Sequence, residues 1–235
     1  LINNIFKIKD FNGVSQLICI IEKSFNLILS CIFVGEKNIY IMKLVIIDYK
    51  AGNTRSVIHA LERLGVQPIL SDDKEVISSA DKIIFPGVGE AGFAMKVLRE
   101  KGLDKFIPQL KQPLLGVCLG MQLLCEKSEE SDTKCLGIFP LTVTKFISEK
   151  EKIPHMGWNQ VKDTERPLFS QFDEGKNFYF VHSYYVPISQ YTNSICDYIQ
   201  PFSAGIQREN FYGVQFHPEK SDEAGSKLLQ RFIDV

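Results

Sequence analysis

The sequence predicts an α/β domain with a mostly parallel central sheet, helices on both faces and added antiparallel strands. Two observations carry this expectation. From Met42 onward short apolar runs alternate with segments of helical periodicity, which is the pattern of strand–helix–strand units. A middle stretch then departs from it, with Thr, Val, Phe and Tyr recurring between turns. A chain of 235 residues that is 45% hydrophobic and 23% charged can bury a full core as one large domain.

The elements follow in order. Lys43 to Asp48 (KLVIID) reads as a buried first strand. Asn53 can cap the next helix, in which Val57, Ile58, Leu61 and Leu64 recur at three and four and line one face before Gly65 stops it. Lys82 to Phe85 (KIIF) is a second buried strand ending in Pro-Gly, and Phe93 to Leu98 begins another helix. Leu114 to Val117 is a strand that runs straight into Cys118. The region from about Leu136 to Tyr185 suggests antiparallel strands and hairpins attached to the sheet. Ala204 to Gln215 reads as two short strands around Glu209-Asn210, and Asp222 to Ile233 as a closing helix. With no repeat, low-complexity tract or linker, residues 42–235 read as one domain.

Residues 1–41 differ in character, being rich in Ile, Asn, Phe and Lys and opening on Leu. Glu22, Lys23 and Asn26 interrupt the run from Leu17 to Val34, so it is neither the compact core of a secretory signal nor a membrane span, which needs roughly 20 consecutive apolar residues. The expectation is that residues 1–41 are an upstream-translated or non-native extension and that Met42 is the natural start; an amphipathic extension is the rival reading. A formal net charge of −1 offers no basic excess for nucleic acid or an anionic membrane. Cys19, Cys31, Cys118, Cys125, Cys135 and Cys196 fall at irregular spacings without a CxxC pair, which suits reduced thiols of a cytoplasmic protein and no zinc site.

Three segments carry chemistry. Gly116-Val117-Cys118-Leu119-Gly120 has the form of a nucleophile elbow, a sharp strand-to-helix turn that holds its central side chain exposed and requires small residues two before and two after. A helix N-terminus beneath the sulfur favours the thiolate that attacks an amide carbonyl. Read alone, the motif fits a buried structural cysteine equally well. Gly213-Val214-Gln215-Phe216-His217-Pro218-Glu219 places an imidazole and a carboxylate two residues apart, so that in an extended segment they point the same way, with Pro218 preventing helix. Such a carboxylate holds the imidazole tautomer while the other ring nitrogen faces the thiol. Pro86-Gly87-Val88-Gly89, directly after a strand, can bring backbone N–H groups to a substrate oxygen and, with the N–H of Leu119, form an oxyanion hole.

The order PGVG, GVCLGMQ and HPE resembles that of the class I, triad-type glutamine amidotransferases, and the similarity runs from Met42 nearly to the C-terminus. Further segments resemble the glutaminase subunit of imidazole glycerol phosphate synthase in histidine biosynthesis: MKLVIIDYKAGNTRSV at the start, Pro154 to Asn159 (PHMGWN), Phe180 to Tyr185 (FVHSYY) and the ending HPEKS. The resemblance implies a flavodoxin-like class I amidotransferase fold. It implies that Cys118 attacks the glutamine side-chain amide, that His217 carries the proton to departing ammonia and that Glu219 orients His217. By the same matching Gly87, Val88 and Leu119 lie on the oxyanion side, and Gln122, Ser183 and Tyr184 line the glutamine pocket, largely through backbone groups. No metal or bound cofactor is implied for this half-reaction. Ammonia is expected to pass to a TIM-barrel cyclase subunit in a heterodimer.

Trp158, the only tryptophan, falls in a loop-like Gly/Pro/His/Asn segment where an aromatic can anchor an interface, and Asn159 and Lys220 are expected there with it. His155 and His182 lack the carboxylate spacing of His217 and read as supporting residues, while His59 and Cys125 read as surface or packing residues. Two readings of other classes stay open: a glutaminase component of another synthase, and a non-catalytic partner subunit.

Overall fold

The computed structural model describes residues 42–50, 53–162, 167–169 and 173–235. The expectation for residues 1–41 lies outside them. Strand β1 (Leu44–Ile47) leads to helix α1 (Thr54–Arg63), whose first turn is capped by the Asn53 side chain accepting from the Ser56 N–H at 3.4 Å. Strand β2 (Ile69–Ser71), helix α2 (Lys74–Ser78), strand β3 (Lys82–Gly87) and helix α3 (Ala91–Glu100) follow. Strand β4 (Leu114–Cys118) turns directly into helix α4 (Leu119–Leu123). Next come β5 (Cys125–Ser128), β6 (Thr133–Lys134), β7 (Phe139–Lys145), β8 (His155–Lys162), β9 (Asn177–His182) and β10 (Tyr184–Tyr185). β11 (Thr192–Tyr198), β12 (Gln200–Arg208), β13 (Phe211–Val214) and helix α5 (Asp222–Asp234) complete the chain.

The main sheet runs β2-β1-β3-β4-β13-β12-β11-β8-β9. Its first five strands pair in parallel, and from β13 onward the pairing is antiparallel. The alternation along β1 explains why helices cover both faces of the parallel part. Leu44 and Ile46 pack in one core with Leu61 of α1 and Leu228 and Phe232 of α5. Val45 and Ile47 pack in the other with Ile77 of α2, Leu98 of α3 and Leu123 of α4. Each such fully buried aliphatic or aromatic side chain contributes roughly 1.5–3 kcal/mol of transfer free energy. The two cores hold the C-terminal ends of β3, β4 and β13 side by side, with Gly87 opposite Cys118 and Val214 opposite Val117. This is where parallel sheets commonly bind ligands.

The structure amends several sequence expectations. β2 and α2 are additional; they span three and five residues, too short for a period to emerge, and α2 is set by Asp73, whose carboxylate accepts from the Glu75 and Val76 N–H groups. β11 is likewise additional. The middle region divides, with β7 and β10 joining β5 and β6 in a separate four-stranded sheet while β8 and β9 extend the main one; within the small sheet β5 and β7 are parallel. Trp158 stands in a strand, not a loop, because the PHMGWN segment pairs in register with β9 despite its glycine and asparagine. Pro218 does not prevent helix: Pro218–Lys220 forms one 3₁₀ turn with Pro218 in its first position, where a proline needs no hydrogen-bonded N–H. Among the described residues no helix is long and apolar enough to cross a membrane.

Candidate functional site

Cys118 closes β4 with φ 53° and ψ −111°, a strained conformation for a residue with a side chain, as expected of an elbow. The flanking glycines are required by contact. A Cβ on Gly116 would lie 2.8 Å from the Met121 nitrogen, and one on Gly120 would lie 2.0 Å from the Phe85 carbonyl oxygen on β3. The turn therefore packs backbone against backbone. Burial pushes the Cys125 and Cys196 thiols up and does the same to Cys135, and all three are free. Cys118, by contrast, lines a cavity.

His217 follows the end of β13, the strand paired with β4, which brings it over the elbow. Its backbone is clamped: its N–H donates to the Tyr179 carbonyl at 2.9 Å and its carbonyl accepts from the Ser221 hydroxyl at 2.6 Å. Nδ1 lies 2.8 Å from Glu219 Oε1, with the two side chains 3% and 2% exposed. The other ring nitrogen, Nε2, is buried and makes no hydrogen bond of its own. Burial alone works against the imidazolium, but interaction with Cys118 and then Glu219 outweighs it and pushes His217 up to about 10. A thiol beside an imidazolium that is held by a carboxylate is suited to nucleophilic attack followed by proton delivery.

A cavity of about 310 Å³ opens over this group. Val88 and Leu119 line it beside Cys118 and His217, and Gln122, Ser183 and Tyr184 form another part of its wall. Gly87 is not on the wall. It ends β3 at a point of close approach, where a Cβ would lie 2.6 Å from the Gly120 nitrogen. Gln122 takes part through its side chain, its carboxamide nitrogen donating to the Tyr184 carbonyl at 2.9 Å. Sequence reasoning missed two residues. Glu130 lines the cavity with a half-buried carboxylate that accepts from the Ala91 N–H at 2.8 Å and that burial pushes upward. Gln215 is fully buried with its carboxamide nitrogen 3.8 Å from the Cys118 sulfur. Its only sequence signal was a polar residue inside an apolar strand ending, Gly213 to Phe216. Among the described residues no group of three or more His, Cys, Asp or Glu side chains is arranged to hold a metal ion.

The expected interface residues gather on β8, β9 and the 3₁₀ turn. Trp158 is 50% exposed and meets Tyr179 edge-on, and the Lys220 ammonium lies 5.8 Å from the Tyr179 ring centre. Such exposure does not suit a tryptophan capping its own core. Asn159 faces the other side of β8, donating to the Asp197 carbonyl at 2.9 Å and meeting His155 Nε2 at 3.2 Å. His155 and His182 are a buried pair with Nδ1 and Nε2 3.1 Å apart. Burial depresses both, His155 to about 4 and His182 to about 3, with the neighbouring histidines a lesser cause at His182.

That pair makes a pH prediction. Both stay neutral in the folded chain and gain protons near pH 6.5 once unfolded, so their stabilisation is complete above 6.5 and declines as pH falls toward their folded values. Lowering the pH from 7 to about 5 is expected to remove on the order of 3 kcal/mol. Urea unfolding at both pH values checks this, with His182→Gln losing about half as much; an equal acid loss in wild type and variant contradicts the assignment.

A parallel sheet whose strand ends present a cysteine elbow to a carboxylate-held histidine defines a class-I glutamine amidotransferase, and the chain belongs to that family, whose model matches residues 45–235. Its curated relatives narrow the family. The imidazole glycerol phosphate synthase subunit HisH of Bacteroides fragilis (strain YCH46) is 53% identical over 196 residues, covering 83% of this chain and 100% of the relative. HisH of Vibrio parahaemolyticus is 47% identical over 200 residues, covering 82% and 98%. At this identity and coverage the chain belongs to the same family as these HisH subunits. A chain in the solved structure of PurLQS from Thermotoga maritima shares the fold at a TM-score of 0.61 with 20% identity, covering 82% of this chain and 98% of that one.

Proposed function

We propose that residues 42–235 form the glutaminase subunit of imidazole glycerol phosphate synthase. It hydrolyses L-glutamine and passes the ammonia to a TIM-barrel cyclase subunit, which makes imidazole glycerol phosphate and aminoimidazole carboxamide ribotide. The observation that carries the reading is the 2.8 Å contact from His217 Nδ1 to Glu219, which leaves the buried Nε2 to the Cys118 side of the site. The reading rests also on the identity to the HisH relatives across their whole length.

In this reading the Cys118 thiolate forms a bond to the side-chain amide carbon of glutamine, and the oxygen takes negative charge at the Leu119 N–H and the Gly87-Val88 segment. The C–N bond breaks as His217 gives its proton to the nitrogen, and ammonia leaves. Water, deprotonated by His217, then attacks the glutamyl thioester, and the C–S bond breaks to release glutamate and the thiolate. The proton taken from water stays on His217, restoring the starting state, and the other water proton leaves on the product carboxyl, which releases it to solvent. Gln122, Ser183 and Tyr184 hold the substrate, and Glu130 supplies a negative charge opposite its α-ammonium group.

The reading is tested by measuring ammonia release by the chain alone and with the cyclase and its substrate present. Release that rises with the cyclase supports it; release indifferent to the cyclase favours a different synthase partner. Trp158, Tyr179 and Lys220 form the contact surface in this reading. Trp158→Ala is expected to weaken cyclase binding by about 10-fold or more, as loss of a central aromatic anchor does. Unchanged affinity in a binding titration removes Trp158 from the interface.

A further inference from the structure

Gln215 is fully buried, and its carboxamide bridges two parts of the site: Oε1 lies 2.9 Å from Gln122 Nε2, and Nε2 lies 3.8 Å from the Cys118 sulfur. Which end of a carboxamide faces a neighbour must come from its bonding network. Here the network has one solution. The Tyr184 carbonyl can only accept, so Gln122 turns its NH₂ toward it at 2.9 Å. The same nitrogen faces Gln215, which must then present oxygen to Gln122 and N–H to the sulfur.

A second line of bonds reaches the same carbonyl. His182 Nδ1 lies 2.7 Å from the Tyr184 oxygen and must carry its proton there. A neutral His182 then accepts at Nε2, so His155 donates from Nδ1 at 3.1 Å and accepts at Nε2 from the Asn159 NH₂. Asn159 is itself turned by the Gln160 N–H, which occupies its oxygen at 2.8 Å. Every donor in the line meets an acceptor, and neutrality of both histidines agrees with their depressed values.

We infer that Gln215 belongs to the reacting centre as an N–H donor to the Cys118 sulfur, with Gln122 and the His155–His182 line as positioning residues that hold its orientation. Gln215 stabilises the sulfur when it is anionic, before attack and again as it leaves the thioester carbon. The inference rests on the reading of Cys118 as nucleophile.

The test uses the full chain with its cyclase. Gln215→Glu keeps the shape and the acceptor toward Gln122 but presents no amide N–H to the sulfur; Gln215→Met keeps only the length. Both are expected to lower kcat for ammonia release at least about 10-fold, and Gln215→Glu, which keeps the acceptor that holds Gln122, is expected to leave KM for glutamine within about two-fold, since a transition-state donor is removed and substrate contacts are not. A packing role would move KM and the melting temperature along with kcat. Either folded variant keeping kcat within about two-fold of wild type, or Gln215→Glu losing kcat only in step with a rise in KM, overturns the inference. Cys118→Ser in the same assay separates the two levels: if it still releases ammonia the nucleophile reading fails, whereas an inactive Cys118→Ser beside an active Gln215→Met removes Gln215 alone. Side-chain carboxamide NMR signals of ¹⁵N-labelled protein need no change at Gln215. One pair shifts in Cys118→Ala if the bond exists, and an unshifted set overturns the inference.

Discussion

Cys118→Ser is expected to abolish ammonia release from glutamine, by at least about 10⁴-fold in kcat, because the nucleophile of a catalytic unit carries most of that unit's effect. The substitution exchanges sulfur for oxygen at a site that is 7% exposed, so the fold and cavity stay as they are. What changes is reactivity. His217 is held protonated by its neighbours, whereas a serine hydroxyl in the place of the thiol needs a neutral imidazole to remove its proton. Assay of the complex with glutamine, together with a melting curve that matches wild type, separates lost chemistry from lost structure. Full activity in the serine variant would exclude the thioester route.

The second large effect is expected from Glu219→Gln, a lowering of kcat by about 10²–10⁴-fold with little change in KM. Glu219 Oε1 accepts from His217 Nδ1, and its other oxygen, Oε2, is buried without a hydrogen bond. A glutamine there can offer its NH₂ to Nδ1, which moves the ring proton to Nε2 and blocks that nitrogen as a base. The same change has a stability signature. A histidine raised from 6.5 to about 10 adds stability that is fully present below 6.5 and is lost as pH rises through 10. Glu219→Gln should therefore lose less stability than wild type between those values. Equal alkaline loss in urea unfolding would show that Glu219 does not hold the imidazolium.

What could be read from the sequence follows the range of each interaction. The elbow was legible because its two glycines flank the cysteine at fixed spacing, although Gly116 answers to the turn itself and Gly120 to the neighbouring strand β3, and His217 and Glu219 were legible because two residues separate them. The fold's parallel half was legible because β1, β3 and β4 are buried on both faces and read as continuous apolar runs. The rest depends on pairings that no local pattern records. His155 meets His182 because β8 and β9 pair in that register. Glu130 reaches the cavity from a 3₁₀ turn between β5 and β6, and its anchor at the Ala91 N–H lies 39 residues away in sequence. Gln215 looked like an ordinary strand residue until β13 was set beside β4. Trp158 shows the reverse case: glycine and asparagine suggested a loop, and pairing with β9 made a strand that turns the indole outward.

The central claim is that glutamine is cleaved through a covalent bond to Cys118. It is tested most directly by acid-quenching the complex during turnover with glutamine and mapping its peptides by mass spectrometry. A glutamyl adduct is expected on the peptide carrying Cys118, absent without glutamine and absent in Cys118→Ser. Turnover with no adduct at Cys118, or with an adduct on another cysteine, would contradict it.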